Sequence, residues 1–139
     1  MNYLLDTCVI SEVIRPKPKQ KIINWLRSRD ENDLYLSVLT IGEIYKGIEK
    51  LGDSDRRKKI QLWVEHELMR RFGDRILPVN SQVAMVWGQI QAQAEKRGWA
   101  MPTVDGLIAA TGLAFNMVVV TRNVSDMEAS GAVLVNPWE

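Results

Sequence analysis

Short apolar runs alternate along the chain with longer amphipathic stretches. The runs are typical of buried strands, because they are apolar or β-branched and are bounded by polar or turn residues. The clearest of them is 117–121, which is continuously apolar and β-branched up to its end, and this favours a strand that is buried on both faces. In chain order, we expect strands at residues 3–5, 34–38, 75–79, 117–121 and 132–135.

Amphipathic stretches between these runs predict helices. The strongest pattern lies in residues 81–97, where apolar side chains recur at helical spacing, at Val83, Val86, Trp87, Ile90 and Ala94. Further helices are expected at residues 7–14, 20–29, 40–51, 55–71 and 102–114. Strands that alternate with helices favour an α/β layered fold with a mainly parallel sheet. The chain has neither a repeat nor a linker-like segment, so we expect residues 1–139 to form one domain.

Composition removes several classes of chemistry. The 139 residues include one cysteine, Cys8, and one histidine, His66, which excludes a disulfide framework, a multi-cysteine zinc site and a paired-histidine metal site. We expect Cys8 to be an inert buried thiol and His66 to be a solvated helix residue. There is no glycine-rich phosphate-binding motif. No apolar run approaches the roughly 20 residues of a membrane helix, and the N-terminus does not resemble a signal peptide, so we expect a cytoplasmic protein.

The net charge of +1 does not by itself indicate a nucleic-acid partner, but the charge is unevenly distributed. Residues 1–75 contain 15 basic and 12 acidic residues, whereas residues 76–139 contain 3 and 5. The basic residues cluster in segments 15–21, 56–59 and 70–75. Such clusters are typical of solvated helix faces, and on one small domain they are also able to contact phosphates.

Four acids stand near the ends of predicted strands. Asp6 ends the first strand, and Glu43 lies in the helix after the second. Asp105 begins the helix that precedes strand 117–121, and Asp126 lies in the loop that follows this strand. Because parallel strands direct their carboxyl ends to one edge of the sheet, these acids are placed to converge. Clustered carboxylates need a compensating cation, and hard oxygen ligands suit Mg²⁺ or Mn²⁺, which points to metal-assisted phosphodiester hydrolysis.

Each acid also has a purely structural interpretation, which the pattern leaves open. Asp6 is able to cap the helix that follows it. Thr40 and Glu43 have the spacing of a capping box. Asp105 is able to complement the dipole of its own helix, and Asp126 is able to make an Asx turn.

The chain resembles the PIN-domain ribonucleases in four segments that occur in the order of that family. These are Leu5-Asp6-Thr7 with Ser11-Glu12, residues 36–43, residues 105–111 and residues 120–126. Two further segments, 73–79 and Asn136-Pro137-Trp138, resemble the VapC/FitB branch, the toxins of bacterial VapBC toxin–antitoxin pairs. The resemblance extends over essentially the whole chain.

This resemblance implies an α/β/α sandwich with metal-dependent endoribonuclease activity, using Mg²⁺ or Mn²⁺. By the same resemblance, Asp6, Glu43 and Asp105 correspond to the three core metal-binding acids. The fourth position corresponds to Asn123, where many members have an acid, or to Asp126. A cognate antitoxin of the VapB/FitA type that covers the site, and a homodimer or a toxin–antitoxin hetero-oligomer, are implied as well.

Other residues are expected to support RNA and partner binding. We expect Thr121 and Asn123 to be supporting polar groups at the site. We expect RNA contacts from four basic residues: Arg15, Lys17, Lys46 and Arg122. The antitoxin groove is expected around Trp25, Trp63 and Leu62. Two alternatives remain: a catalytically inactive PIN-like interaction module, and a structure-specific DNA nuclease, for which 139 residues leave no room for a threading arch.

Overall fold

Five parallel strands form the centre of the protein, in a computed structural model that describes residues 1–139. The strands are β1 (Tyr3–Leu5), β2 (Leu34–Ser37), β3 (Ile76–Leu77), β4 (Val118–Val120) and β5 (Leu134–Val135). Their spatial order is β3-β2-β1-β4-β5, and every pair is parallel. The strand order therefore reverses at β1, and in parallel sheets the crevice beyond such a reversal is where ligands bind.

Helices cover both faces of the sheet. They are α1 (Thr7–Val13), α2 (Gln20–Arg27), α3 (Val38–Lys50), α4 (Asp55–Trp63), α5 (Met69–Phe72), α6 (Ser81–Lys96), α7 (Thr103–Ala114) and α8 (Val124–Met127). A π-helical segment, Val64–Leu68, joins α4 to α5. Adjacent residues of one strand face different cores: Leu4 packs with residues of α6 and α7, whereas Leu5 packs with residues of α1 to α5. This alternation produces the three-layer α/β/α sandwich and confirms the predicted fold class.

Helix α3 begins at Val38, not at Thr40 as the pattern predicts. The side-chain oxygen of Ser37 accepts a hydrogen bond from the Leu39 N–H at 3.0 Å, so Ser37 at the end of β2 caps the helix. The capping box predicted for Thr40 and Glu43 is therefore wrong. Glu43 lies in the second turn of α3, where its carboxylate has no capping role.

The expected loop after β4 contains a short helix. Asp126 lies in α8, and Met127 in the same helix is completely buried. The prediction of a loop was wrong because four residues give too little periodicity to identify a helix. The predicted helix 55–71 is likewise interrupted by the π-helical segment. No helix combines the length and apolar character that crossing a membrane requires.

Gly112 sets the distance between α7 and β4. A Cβ atom at this position would lie 2.5 Å from Cγ2 of Val119 and 3.4 Å from the carbonyl oxygen of Met117. Gly112→Ala should therefore overpack the core and lower the free energy of unfolding by about 2 kcal/mol. Gly88 in α6 is the matched control, because a Cβ there meets nothing within 4 Å and Gly88→Ala should raise stability by about 0.5–1 kcal/mol. Chemical denaturation measures both, and equal effects would contradict the close contact.

Candidate active site

Asp6 is fixed from three sides at the carboxyl end of β1. Its backbone N–H donates to the Val120 carbonyl at 2.9 Å, which continues the strand pairing. Oδ1 accepts from the Thr7 N–H at 2.8 Å, so the capping role predicted for Asp6 is confirmed. Oδ2 accepts from the Thr121 hydroxyl at 2.8 Å. Asp6 is only 2% exposed, and burial raises its pKa, with a smaller contribution from the Glu43 charge and despite the Thr121 and Thr7 hydrogen bonds.

Glu43 faces the same point from α3. Its Oε1 accepts a hydrogen bond from the Thr7 hydroxyl at 2.5 Å, across the gap between α3 and α1. The charge of Glu43 also acts on Asp6 and on Asp105, since it raises the pKa of both. The structure therefore brings Glu43 to the end of β1, as the sequence pattern predicts.

The charges of the three other candidate acids act on Asp105. It lies in the first turn of α7, as the helix-dipole interpretation requires, and is partly buried. Its pKa is raised to about 6, first by burial and then by the charges of Asp6, Asp126 and Glu43. The four predicted acids, from four different elements, thus share one electrostatic environment.

Asp126 and Asn123 occupy the fourth side of the site. Asp126 is half-buried in the first turn of α8, and its backbone N–H donates to the Asn123 carbonyl at 3.1 Å. Its carboxylate accepts no hydrogen bond in the protein, so the Asx turn expected of Asp126 is not formed. The Asn123 N–H donates to the Thr121 hydroxyl oxygen at 2.8 Å. Only Asp126 of these two residues brings a charge that reaches Asp105.

Thr121 and Cys8 complete the wall behind Asp6. Thr121 is completely buried and connects Asp6 to the start of α8 through its single hydroxyl. The Cys8 sulfur lies 3.6 Å from Asp6 Oδ2 and accepts from the Arg122 N–H at 3.4 Å. Burial, and then the Asp6 charge, raise the pKa of Cys8 to about 11, so the thiol stays protonated. The raised pKa agrees with the predicted unreactive thiol, but Cys8 is half-buried rather than buried as predicted.

The donor set suits a hydrated hard cation. No three His, Cys, Asp or Glu side chains lie close enough together to hold one metal ion. Mg²⁺ in proteins commonly keeps several waters and takes only one or two carboxylates directly. Neighbouring carboxylates raise the pKa of Asp6 and of Asp105, and no basic side chain is among the causes of either shift. The site therefore carries a negative charge that such a cation compensates.

The predicted basic contacts are all exposed: Arg15, Lys17, Lys46 and Arg122. Arg122 directly follows Thr121 in the chain, and its guanidinium lies over the Trp138 ring, 5.7 Å from the ring centroid. Arg15 pairs with Glu12, a buried acid, at 3.4 Å.

A groove of about 840 Å³ runs between the end of α1 and α4. Its lining includes Trp63, together with Ile14, Arg56 and Lys59. A smaller cavity shares Ile14 and Arg56 with this groove and reaches Glu43. The prediction of a surface around Trp63 thus agrees with the groove.

Two other residues expected at that groove lie elsewhere. Trp25 packs edge-on against Tyr3 at 5.3 Å beneath Arg29, and Leu62 is 57% exposed outside the groove. Their helical apolar spacing gave no information on which side of the helix faces the groove.

Two hydroxyls at the site were not predicted from the sequence: Thr7 and Thr40. Thr7 contacts Glu43 and Thr40, and Thr40 is completely buried. The position of Thr7 directly after Asp6 was the only available signal. No sequence signal marked Thr40 as a site residue, because its spacing to Glu43 indicated a helix-capping role instead.

Comparisons with known proteins agree with this geometry. The model of the PIN domain matches residues 3–125. The chain is 35% identical over 135 residues to Toxin FitB of Neisseria gonorrhoeae, covering 97% of both chains. It is 34% identical over 136 residues to VapC ribonuclease Y4jK of Sinorhizobium fredii, covering 98% of this chain and 97% of the relative.

Solved structures share the fold over nearly the full length. FitAcB from Neisseria gonorrhoeae superposes with a TM-score of 0.93 at 34% identity, and 99% of each chain is covered. FitAB bound to an IR36 DNA fragment superposes with the same TM-score at 35% identity, with 99% of this chain and 96% of that chain covered.

Proposed function

The chain belongs to the PIN-domain family, and on that premise we propose that it is a metal-dependent endoribonuclease that acts as the toxin of a toxin–antitoxin pair. The observation that carries the proposal is the electrostatic coupling of Asp105 to three other acids, whose charges, together with burial, raise its pKa to about 6. No basic side chain is among the causes of this shift, so the protein itself leaves the negative charge around Asp105 uncompensated. The inactive interaction module, the alternative function, gives no reason for maintaining this repulsion.

Asp6, Glu43, Asp105 and Asp126 are the residues that would hold Mg²⁺ or Mn²⁺, some of them through water. Bound there, such a cation supplies Lewis-acid polarisation of a phosphoryl oxygen and a lowered pKa for an attacking water. The orientation of the Asp6 carboxylate is fixed, because Thr7 and Thr121 each donate a hydrogen bond to one of its oxygens.

RNA is the proposed substrate, bound through its phosphates. Arg122 is one proposed contact, because it directly follows Thr121 and its exposed guanidinium lies over the Trp138 ring. Arg15 and Lys17 lie in the loop after α1, and Lys46 lies on α3 beyond Glu43. These side chains would position the RNA backbone without reading its sequence.

The proposed partner is an antitoxin of the VapB/FitA type that lies in the groove lined by Trp63, Arg56 and Lys59. The cavity from this groove to Glu43 supports a partner that also covers the acids. We further infer that residues 1–139 act as one PIN domain, that the toxin forms a homodimer or a hetero-oligomer with its antitoxin, and that it works in the cytoplasm, where its RNA substrate is.

Metal removal is the direct test of this function. The purified protein, free of antitoxin, should cleave RNA in Mg²⁺ or Mn²⁺, stop in EDTA and recover when excess metal is restored. Product ends mapped by sequencing identify the cleaved bonds. An Asp6→Asn sample purified in parallel controls for contaminating ribonuclease. EDTA-resistant cleavage, or equal cleavage by Asp6→Asn, would contradict the metal-dependent mechanism, and absence of both cleavage and Mn²⁺ binding would favour the inactive module.

A further inference from the structure

Thr7 lies between two carboxylates that come from different elements. We propose that Thr7 is a positioning residue: its hydroxyl holds one oxygen of Glu43 so that the other is directed toward the cation. The inference rests on the proposed function, because it assumes that Glu43 serves a metal site. Thr7 is inferred to act through Glu43 and not by contacting substrate or metal itself.

The contacts of Thr7 connect β1, α1 and α3 within one residue. Its backbone N–H donates to Asp6 Oδ1 at 2.8 Å, and its hydroxyl oxygen lies 2.5 Å from Glu43 Oε1. The same hydroxyl oxygen lies 3.1 Å from the hydroxyl oxygen of Thr40. No other side chain donates a hydrogen bond to Glu43.

A single hydroxyl proton serves only one of these two acceptors. The shorter contact goes to a carboxylate, which is the stronger acceptor, so the Thr7 proton is assigned to Glu43. Thr40 is completely buried, and a buried hydroxyl needs a partner, so Thr40 donates to the Thr7 oxygen. The hydroxyls thus form a directed chain from Thr40 through Thr7 to Glu43.

This chain restricts the longest of the four acidic side chains in the site. A glutamate loses considerable rotamer freedom when it is fixed, and a free Glu43 would have to be ordered at the moment of metal binding. With Oε1 held by Thr7, this ordering is already complete, and Oε2, which has no hydrogen-bond partner in the protein, is available. Partners of metal ligands typically change metal affinity by about 10- to 100-fold.

The experiment compares Thr7→Val, which keeps the shape and removes the hydroxyl, with Thr7→Ser, which keeps the hydroxyl. Mn²⁺ binding to the antitoxin-free protein is measured by isothermal titration calorimetry, alongside thermal melting. We expect Thr7→Val to bind Mn²⁺ about 10-fold more weakly and Thr7→Ser to bind it within about 2-fold of the unmodified protein. Thr7→Ala provides a second hydroxyl-free variant should Thr7→Val fail to fold.

Thr111→Val is the matched control. Thr111 is also completely buried, but its hydroxyl donates to the Leu107 carbonyl at 2.7 Å inside α7. Its removal should change the melting temperature and leave Mn²⁺ affinity unchanged.

Two outcomes would overturn the inference, and they are distinguishable from failure of the proposed function. Hydroxyl-free variants of Thr7 that bind Mn²⁺ as tightly as the unmodified protein would overturn it. So would a Thr7→Ser variant as weak as Thr7→Val, because the hydroxyl would then not be the cause. If instead the unmodified protein binds no Mn²⁺, the proposed metal function itself fails, and this inference with it.

Discussion

Asp105→Asn should reduce Mg²⁺-dependent RNA cleavage by at least about 100-fold. The substitution removes the acid on which the charges of the other three act, and even the loss of a metal ligand's hydrogen-bonding partner typically costs about 10- to 100-fold. Cleavage of a labelled RNA under saturating and limiting Mg²⁺ measures the loss. Asp53→Asn is the control, because Asp53 is an exposed acid in the turn before α4. This variant should cleave RNA at the rate of the unmodified protein.

Asp105→Asn should also be more stable than the unmodified protein when metal is absent. The Asp105 pKa is raised from 3.8 to about 6 in the folded state, so between these pH values the folded protein binds more protons than the unfolded chain. Its stability therefore falls as the pH rises from about 4 to above 6, where the ionised Asp105 faces burial and three negative neighbours. Asn at this position removes the group that titrates, so this loss disappears.

Thermal melting in EDTA between pH 4 and pH 8 tests the sign of this effect. We expect the difference in melting temperature between Asp105→Asn and the unmodified protein to grow in favour of the variant up to about pH 7. Saturating Mn²⁺ should reverse the order, because the cation stabilises only the protein that binds it tightly. A variant that is less stable at pH 8 in EDTA would show that Asp105 has a structural role instead.

Periodicity was sufficient for the sheet and for the position of its acids. The β-branched residues of β4 have no solvated face, and this pattern occurs mainly where helices cover both sides of a sheet. Once the strands are parallel, an acid directly after β1 must lie at the same edge as residues that follow β4. Asp6 was therefore predictable as a candidate site residue from its place in the chain alone.

Local sequence signals predict the wrong helix start where two of them compete. Ser37 and Thr40 are both good helix caps, and the choice between them depends on where β2 ends, which tertiary pairing with β3 decides. The π-helical segment Val64–Leu68 and the short helix α8 are too brief to leave a period in the sequence. The network from Thr40 through Thr7 to Glu43 depends on the packing of α1 against α3, which no spacing encodes.

The sequence leaves the fourth position of the site open between Asn123 and Asp126. Its assignment to Asp126 is the second large prediction. The charge of Asp126 contributes to the raised pKa of Asp105, whereas Asn123 is held through its backbone N–H, which donates to the Thr121 hydroxyl oxygen. Asp126→Asn should therefore weaken Mn²⁺ binding and slow RNA cleavage by about 10- to 100-fold, and it should lower the Asp105 pKa. Titration calorimetry, cleavage rates and carboxyl NMR shifts of Asp105 measure the three effects.

Asn123→Asp supplies the opposite change at the competing position, and Glu128→Gln is the control because Glu128 is an exposed acid directly after α8. Adding a carboxylate at position 123 should raise the Asp105 pKa further in the absence of metal and strengthen Mn²⁺ binding, since charge accumulates around the same point. Glu128→Gln should change neither quantity. Suppose instead that Asp126→Asn behaves like Glu128→Gln, while Asn123→Ala loses Mn²⁺ affinity. The amide of Asn123 would then hold the fourth position, and three carboxylates would account for the whole charge of the site.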